Sequence, residues 1–317
     1  MSEQKRAIVK DISDLFRLSL CFLASIVVFA AGYITHRLNN YDTGIYQSFF
    51  EFLTENEVLP PEALLISFFI PFSLIAANHT INDYFDYEID VANNRLDRPI
   101  VRGAISLANA KKIAVGLYSS VVLLSAILVF IYGLNVFLLV LVPFFIFLSV
   151  GYNLGVKELG LLGNAWVSIG YVFPFLIGPL IIGMDEFALV NILVICTFIF
   201  FLALGREILK DIMDIEGDIK AGMRSVAIAY GPHWAARLSA LCFLITLFLG
   251  GLLMFMGFKN NEIFFLGMIA LSVLLLYTGI AMMRNPDQET SIRGRKYTRW
   301  SLWLSTGIFF ISSFFLP

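Results

Sequence analysis

The sequence predicts an all-α, polytopic membrane protein with nine transmembrane helices, and three observations carry that expectation. Of the 317 residues 59% are hydrophobic and only 15% charged, against about 25% charged in soluble domains, and the mean hydropathy is +0.82. The apolar residues fall in runs of about 20, enough at about 1.5 Å per residue to cross a hydrocarbon core about 30 Å thick. The basic residues are confined almost wholly to alternate loops.

The runs lie near residues 15–35, 62–82, 112–132, 134–152, 164–184, 186–207, 234–257, 262–283 and 299–316. The first follows a charged, amphipathic stretch (Lys5, Arg6, Lys10, Asp11, Asp14, Arg17) and shows no small-residue cleavage site, so it reads as a retained helix rather than a signal peptide. In the connection 36–61, which carries Asp42, Glu51, Glu55, Glu57 and Pro60-Pro61, the residues Tyr46, Phe49, Phe50 and Leu53 recur at helical spacing. They suit a short helix at the membrane surface. If the spans alternate in direction, the N-terminal tail and the loops after the second, fourth, sixth and eighth runs share one side. That side holds all of the 22 Lys and Arg residues except Arg37 and Lys259, and the positive-inside rule makes it cytoplasmic. Cys21, Cys196 and Cys242 occupy three separate runs without CxxC spacing and read as small core hydrophobes. Asn78-His79-Thr80 matches a glycosylation sequon, but at the cytoplasmic end of the second run it is a chance match.

Residues 1–317 read as one membrane-embedded domain with an internal pseudo-repeat. Asp83-Tyr84-Phe85-Asp86-Tyr87-Glu88-Ile89-Asp90 is answered by Asp211-Ile212-Met213-Asp214-Ile215-Glu216-Gly217-Asp218, so D-x-x-D-x-E-x-D occurs twice, at the cytoplasmic ends of the second and sixth runs. If each motif continues its span as a helix, about 100° per residue places Asn82, Asp83, Asp86 and Asp90 within an arc of about 100° and throws Glu88 about 140° from Asp83. The same phase groups Asp211, Asp214 and Asp218 and excludes Glu216. Like charges at i, i+3 and i+4 repel, and no lysine or arginine lies on this face to compensate them. A hard divalent cation does so: Mg²⁺ takes oxygen ligands and is held by one or two carboxylates together with waters and substrate phosphates. The expected ligands are Asp83, Asp86, Asp90, Asp211, Asp214 and Asp218, two clusters able to hold two metals and a diphosphate. A charge costs roughly 2.5–3.5 kcal/mol at the centre of a spanning helix, which puts both clusters at helix ends or around a water-filled cavity.

Polar, basic loops follow each motif, at 93–103 and 219–225. Arg98, Lys220 and Arg224 lie nearest the motifs and are expected to cover a diphosphate and neutralise the charge growing on a leaving group; the plainer alternative is that they are positive-inside anchors. Tyr152, Asn153, Lys157 and Asn164 form a third polar point, where Lys157 either reaches a phosphate oxygen or snorkels to the interface.

Nine spans with Asn82-Asp83-x-x-Asp86-x-x-x-Asp90 after the second and Asp214-x-x-x-Asp218 after the sixth resemble the UbiA superfamily of intramembrane prenyltransferases. Arg98-Pro99-x-x-x-Gly103, Lys220-x-Gly222-x-Arg224-Ser225 and the stretch from Tyr152 to Asn164 belong to the same resemblance, which covers nearly the whole chain. It implies helices around a central cavity beneath cytoplasmic cap loops. It also implies Mg²⁺ and an isoprenyl diphosphate held by Asn82, Asp86 and Asp90 and by Asp214 and Asp218. Ionisation of the allylic diphosphate would be followed by attack of a lipophilic acceptor, with the apolar cavity excluding water and aromatic faces stabilising the cation. Arg206-Glu207-x-x-Lys210-Asp211-x-x-Asp214-x-x-Gly217-Asp218 is similar to the corresponding segment of the archaeal digeranylgeranylglyceryl phosphate synthases, apart from Met213 where glutamate is common. That subgroup implies geranylgeranyl diphosphate as donor and geranylgeranylglyceryl phosphate as acceptor. The partners expected are thus a prenyl diphosphate, a lipophilic acceptor and membrane lipid, with no nucleic acid. An aromatic acceptor of quinone biosynthesis stays open. So does a cation-coupled transporter, against which all six aspartates share one side with no comparable charge deeper in the bundle.

Overall fold

The structure, a computed structural model, describes residues 3–41, 48–54, 59–92, 94–220 and 224–316, and among them no strand occurs. In chain order the helices are α1 (Glu3–Phe16), α2 (Leu18–Asn39), α3 (Phe49–Thr54), α4 (Pro61–Phe85), α5 (Tyr87–Ala92), α6 (Leu107–Phe130) and α7 (Leu138–Asn153). A single 3₁₀ turn (Val156–Glu158) precedes α8 (Leu161–Ile182), α9 (Glu186–Lys220), α10 (Val226–Tyr230), α11 (Pro232–Leu253), α12 (Glu262–Arg284) and α13 (Gln288–Ser313). Each of the nine expected runs falls in a helix. Seven of these helices, α2, α4, α6, α8, α9, α11 and α12, are long and apolar enough to cross a membrane. The other two runs fall short: α7 has 16 residues, or about 24 Å of rise, and the first half of α13 carries Arg293, Arg295, Lys296 and Arg299.

Local sequence sets the helix starts. Ser106 accepts a hydrogen bond from Asn109 N at 3.2 Å ahead of α6, Asn261 from Phe264 N at 3.0 Å ahead of α12, and Asp287 from Thr290 N at 2.7 Å ahead of α13. Such N-caps contribute about 1 kcal/mol each. Proline lies inside α4, α7 and α8, which membrane helices tolerate because neighbouring groups satisfy the freed carbonyls.

The chain forms two compact units. The first comprises Met1–Phe29 and Asn56–Asn153, the second Ala30–Glu55 and Leu154–Pro317. Within the first, α4 is central and packs against α1, α6 and α7; within the second, α9 packs against α8, α10, α11 and α13. Glycines permit the closest approaches in the second unit. A Cβ at Gly205 would lie 2.6 Å from the Phe243 ring of α11, and one at Gly294 of α13 would lie 2.9 Å from Leu209 of α9. Outward-facing positions such as Leu123, Phe248 and Phe255 are apolar and exposed, as suits a surface solvated by lipid. All three cysteines are buried and free. Asn78 accepts a hydrogen bond from the Tyr118 hydroxyl at 3.1 Å, and Tyr118 also meets Ser149 at 2.8 Å, so the sequon asparagine is a packing partner.

Two peripheral helices dock by identifiable contacts. In the first unit, Leu15 of α1 is fully buried against Ile100 and Ala110, and Arg102 binds Asp11 at 2.6 Å and Asp14 at 2.9 Å. Ile8, Val9 and Ile12 remain exposed on α1, a face of the kind that rests on a membrane surface. In the second unit, α3 forms where the aromatic spacing predicted a short helix, with Tyr46 outside the described residues. It packs inward through Phe52, whose ring lies 5.4 Å from Tyr33.

Candidate active site

The first acidic motif lies where α4 meets α5. It is not one continuous helix, as the sequence suggested: α4 stops at Phe85, and Asp86 (φ −84°, ψ 2°) leads into α5. Helical hydrogen bonds still bridge the break, from Asp86 N to Asn82 O at 2.9 Å and from Asp90 N to Asp86 O at 2.8 Å. The phase therefore survives. Asn82 Nδ2 donates to Asp86 Oδ2 at 2.7 Å, Asp83 and Asp90 are buried, and Glu88 is exposed.

The expectation that no basic side chain compensates this face is corrected by the structure. Arg17 Nη2 and Arg98 Nη1 each donate to Asp83 Oδ1 at 3.0 Å, and Arg17 Nη1 also meets His79 Nδ1 at 3.0 Å. Helical phase counts only residues on the same helix, whereas Arg17 arrives from the α1–α2 junction and Arg98 from the loop after α5. The remaining arginines of that loop are engaged elsewhere. Arg95 makes two hydrogen bonds to Asp97, at 2.9 and 3.0 Å, which hold the Asp97 carboxyl down at about 2, and Arg102 is taken by Asp11 and Asp14. Arg98 alone of the three turns to the motif, with its Nε 3.7 Å from Asp90 Oδ2.

The second motif rides on α9, which runs unbroken through Asp211, Asp214 and Asp218 to Lys220. Glu216 is exposed and the three aspartates are half-buried, as the phase predicted. Asp211 Oδ2 accepts hydrogen bonds from Asn164 Nδ2 at 2.7 Å and from Val226 N at 3.3 Å. Thus the first aspartate of each motif is occupied by protein groups, Asp83 by two guanidinium ions and Asp211 by two amides. Among the described residues Asp214 and Asp218 have no side-chain hydrogen bond or ion pair.

The other expected site residues divide between the units. Tyr152 is half-buried in the last turn of α7, and Asn153 Nδ2 donates to Ser149 O at 3.0 Å, both in the first unit. Lys157 sits in the 3₁₀ turn of the second unit. The Lys220 side chain and Gly222 lie outside the described residues, and Arg224 is exposed. The turn bearing Lys157 packs on the loop after the second motif, because Gly160 (φ +58°) brings its backbone so close that a Cβ there would lie 2.4 Å from the Arg224 carbonyl oxygen. Gly160→Ala is therefore expected to cost about 1–3 kcal/mol through backbone strain and overpacking. The measurement is thermal denaturation in detergent, and an unchanged Tm would show that the two loops part freely.

Sequence reasoning missed a buried ionic group beside the second motif. Arg206 Nη1 donates to the Tyr171 hydroxyl at 3.0 Å and to Glu207 Oε1, and Lys210 Nζ lies 3.7 Å from Glu207 Oε2. The side chains of Arg206 and Glu207 are only 12% and 8% exposed. They sit on the membrane side of Asp211, which corrects the expectation of no comparable charge deeper in the bundle. The available signal was Arg206-Glu207 directly after an apolar run, where ionisable residues are costly and mark function.

Both motifs offer oxygen donors alone. Among the described residues no group of three His, Cys, Asp or Glu side chains converges to cage a metal. Mg²⁺ does not need one, since it keeps waters and substrate phosphates in its shell and takes only one or two carboxylates. Asp86 with Asp90, and Asp214 with Asp218, fit that requirement.

An all-α integral membrane protein with two aspartate-bearing helix ends is the class that fold and site define. The chain belongs to the UbiA prenyltransferase family, whose sequence model matches residues 49–314, and it is a prenyltransferase; a transporter role is set aside. It is 33% identical to the digeranylgeranylglyceryl phosphate synthase of Thermococcus kodakarensis over 251 residues, covering 78% of this chain and 85% of that one. Its fold is similar to a solved structure from a study of digeranylgeranylglyceryl phosphate synthase in membranes, with a TM-score of 0.75 at 22% identity, covering 97% and 99% of the two chains. A UbiA homologue from Archaeoglobus fulgidus bound to GPP and Mg²⁺ is similar with a TM-score of 0.57 at 16% identity, covering 94% and 99%.

Proposed function

We propose that this prenyltransferase moves a geranylgeranyl group from its diphosphate to geranylgeranylglyceryl phosphate, as a digeranylgeranylglyceryl phosphate synthase of ether-lipid synthesis, with each motif serving Mg²⁺, the first through Asp86 and Asp90 and the second through Asp214 and Asp218. The observation that carries the substrate reading is the 33% identity to a synthase of that name over 78% of the chain. The charge bias of the loops supports a cytoplasmic N-terminus and cytoplasmic motifs.

The residues divide the work. Asp83, held by Arg17 and Arg98, and Asp211, held by Asn164, fix each motif in place, and the second and third aspartates of each motif are assigned to the metal. Asn82 aligns the Asp86 carboxylate through its 2.7 Å hydrogen bond. Arg98, with Lys220, Arg224, Lys157 and Tyr152 as further donors, meets the diphosphate oxygens as the allylic C–O bond breaks. Mg²⁺, when bound, supplies Lewis acidity to the leaving diphosphate. The acceptor hydroxyl oxygen then forms the ether C–O bond to the allylic carbon and releases its proton.

The test offers purified protein one labelled geranylgeranyl diphosphate with a panel of acceptors and identifies products by mass spectrometry. A Mg²⁺-dependent diether phosphate is expected. Product from a hydroxybenzoate or dihydroxynaphthoate alone would transfer the enzyme to quinone biosynthesis, and absence of metal-dependent diphosphate release with any allylic diphosphate would defeat the reading.

A further inference from the structure

The ionic group beside the second motif has more guanidinium donors than the described fold satisfies. Arg295 lies on α13, where the neighbouring Gly294 lets that helix approach Leu209 of α9 and Thr278 of α12. Among the described residues its Nη1 meets only Met213 Sδ, at 3.7 Å, a weak acceptor for a guanidinium ion. Its Nε is enclosed without a hydrogen-bond partner, as is the Nε of Arg206. Arg206 and Arg295 both lie within electrostatic reach of the Tyr171 hydroxyl, and Lys210 and Arg295 both within reach of Asp214. The three cations therefore share one corner formed by α8, α9 and α13. Among the described residues Glu207 is the one carboxylate in ion-pair contact with any of them, bound to Arg206 and near Lys210.

We propose that Arg295, Arg206 and Lys210 form an anion subsite for a phosphomonoester on the acceptor, distinct from the aspartates that serve the donor. The proposal rests on the reading above that the acceptor is a phosphorylated glyceryl ether. The enclosed guanidinium Nε donors of Arg206 and Arg295 lack an oxygen acceptor among the described residues, and a phosphomonoester supplies three acceptor oxygens with about −1.5 to −2 of charge at neutral pH. Guanidinium groups match phosphate oxygens through paired N–H donors, and lysine adds a point charge. The position of Arg206 favours the acceptor over the donor, while Lys210 and Arg295 lie nearer Asp214. Arg206 is eight residues before Asp214, about 12 Å along the helix toward its apolar half, and the donor's diphosphate has its own metal-binding carboxylates at Asp214 and Asp218. A neutral lipid alcohol would leave these arginines without an anion, which makes the group a means of selecting phosphorylated acceptors.

The test compares the full-length protein with Arg295→Gln and Arg295→Lys in detergent. It measures kcat and KM for geranylgeranylglyceryl phosphate, for the dephosphorylated alcohol, and for the prenyl diphosphate. Arg295→Gln is expected to raise KM for the phosphorylated acceptor about 10- to 100-fold, the loss of a charge-assisted contact. KM for the donor and for the alcohol should move little, and Arg295→Lys should recover part of the loss. If Arg295→Gln does not fold, Lys210→Gln reads the same discrimination. A rise in donor KM with the acceptor unaffected, or a variant that keeps its preference for the phosphorylated acceptor, would overturn the subsite while leaving the proposed function standing. A wild-type enzyme that transfers only to unphosphorylated acceptors would overturn both.

Discussion

Asp86→Asn and Asp214→Asn are each expected to lower diphosphate release by about 10³-fold while leaving the protein folded, the scale seen when one preorganised charge-stabilising group is removed from a reacting centre. The change removes a negative charge and keeps the side-chain volume. Stability should be spared because the substitution is isosteric and because Asp214 makes no side-chain hydrogen bond or ion pair among the described residues. A chelator should do to the wild type what these substitutions do, and excess Mg²⁺ should restore part of the lost rate if the defect lies in metal affinity. The readout is a diphosphate-release assay at saturating donor across a Mg²⁺ titration. If both variants kept more than a tenth of the rate with an unaltered Mg²⁺ requirement, the motifs would have no part in metal binding.

How far the sequence carried can be judged at these same residues. Helical phase alone separated Asp86 and Asp90 from Glu88, and Asp214 and Asp218 from Glu216, and the exposure of both glutamates agrees. Phase is a local property of one chain segment, and it held even across the break at Asp86, because the hydrogen bonds to Asn82 and Asp86 carbonyls continue. What could not be read was the company each carboxylate keeps. Asp83 meets Arg17 from 66 residues away, and Asp211 meets Asn164 from 47 away. Such pairings are set by which helices pack together, and neither periodicity nor composition encodes that in an amphipathic count. The spans followed the same division. Apolar runs fixed where helices form, while the 16-residue length of α7 and the extension of α13 back to Gln288 through its charged first half did not follow from them.

Asp83→Ala is expected to be a stability variant, costing about 3–5 kcal/mol, the usual result of removing one partner from a buried ion pair and leaving the other charge uncompensated. Its side chain is 1% exposed and serves two arginines at once. The local backbone adds to the case. Arg17 has φ +53°, a left-handed conformation that costs about 1–2 kcal/mol in an L-residue, and its contacts with Asp83 and His79 are what offset it. The same bond ties the α1–α2 junction and the cap loop of Arg98 to α4. A large fall in Tm in detergent is therefore expected, with the residual enzyme keeping its Mg²⁺ dependence, the reverse of the Asp86→Asn pattern one helical turn away. Adding Arg17→Met to Asp83→Ala should return some of the lost stability, because the stranded cation is then gone, and a double-mutant cycle measures that coupling. A wild-type Tm with a shifted Mg²⁺ requirement would instead put Asp83 among the metal ligands, and the two guanidinium ions would then have to be read as charge held in reserve for the diphosphate.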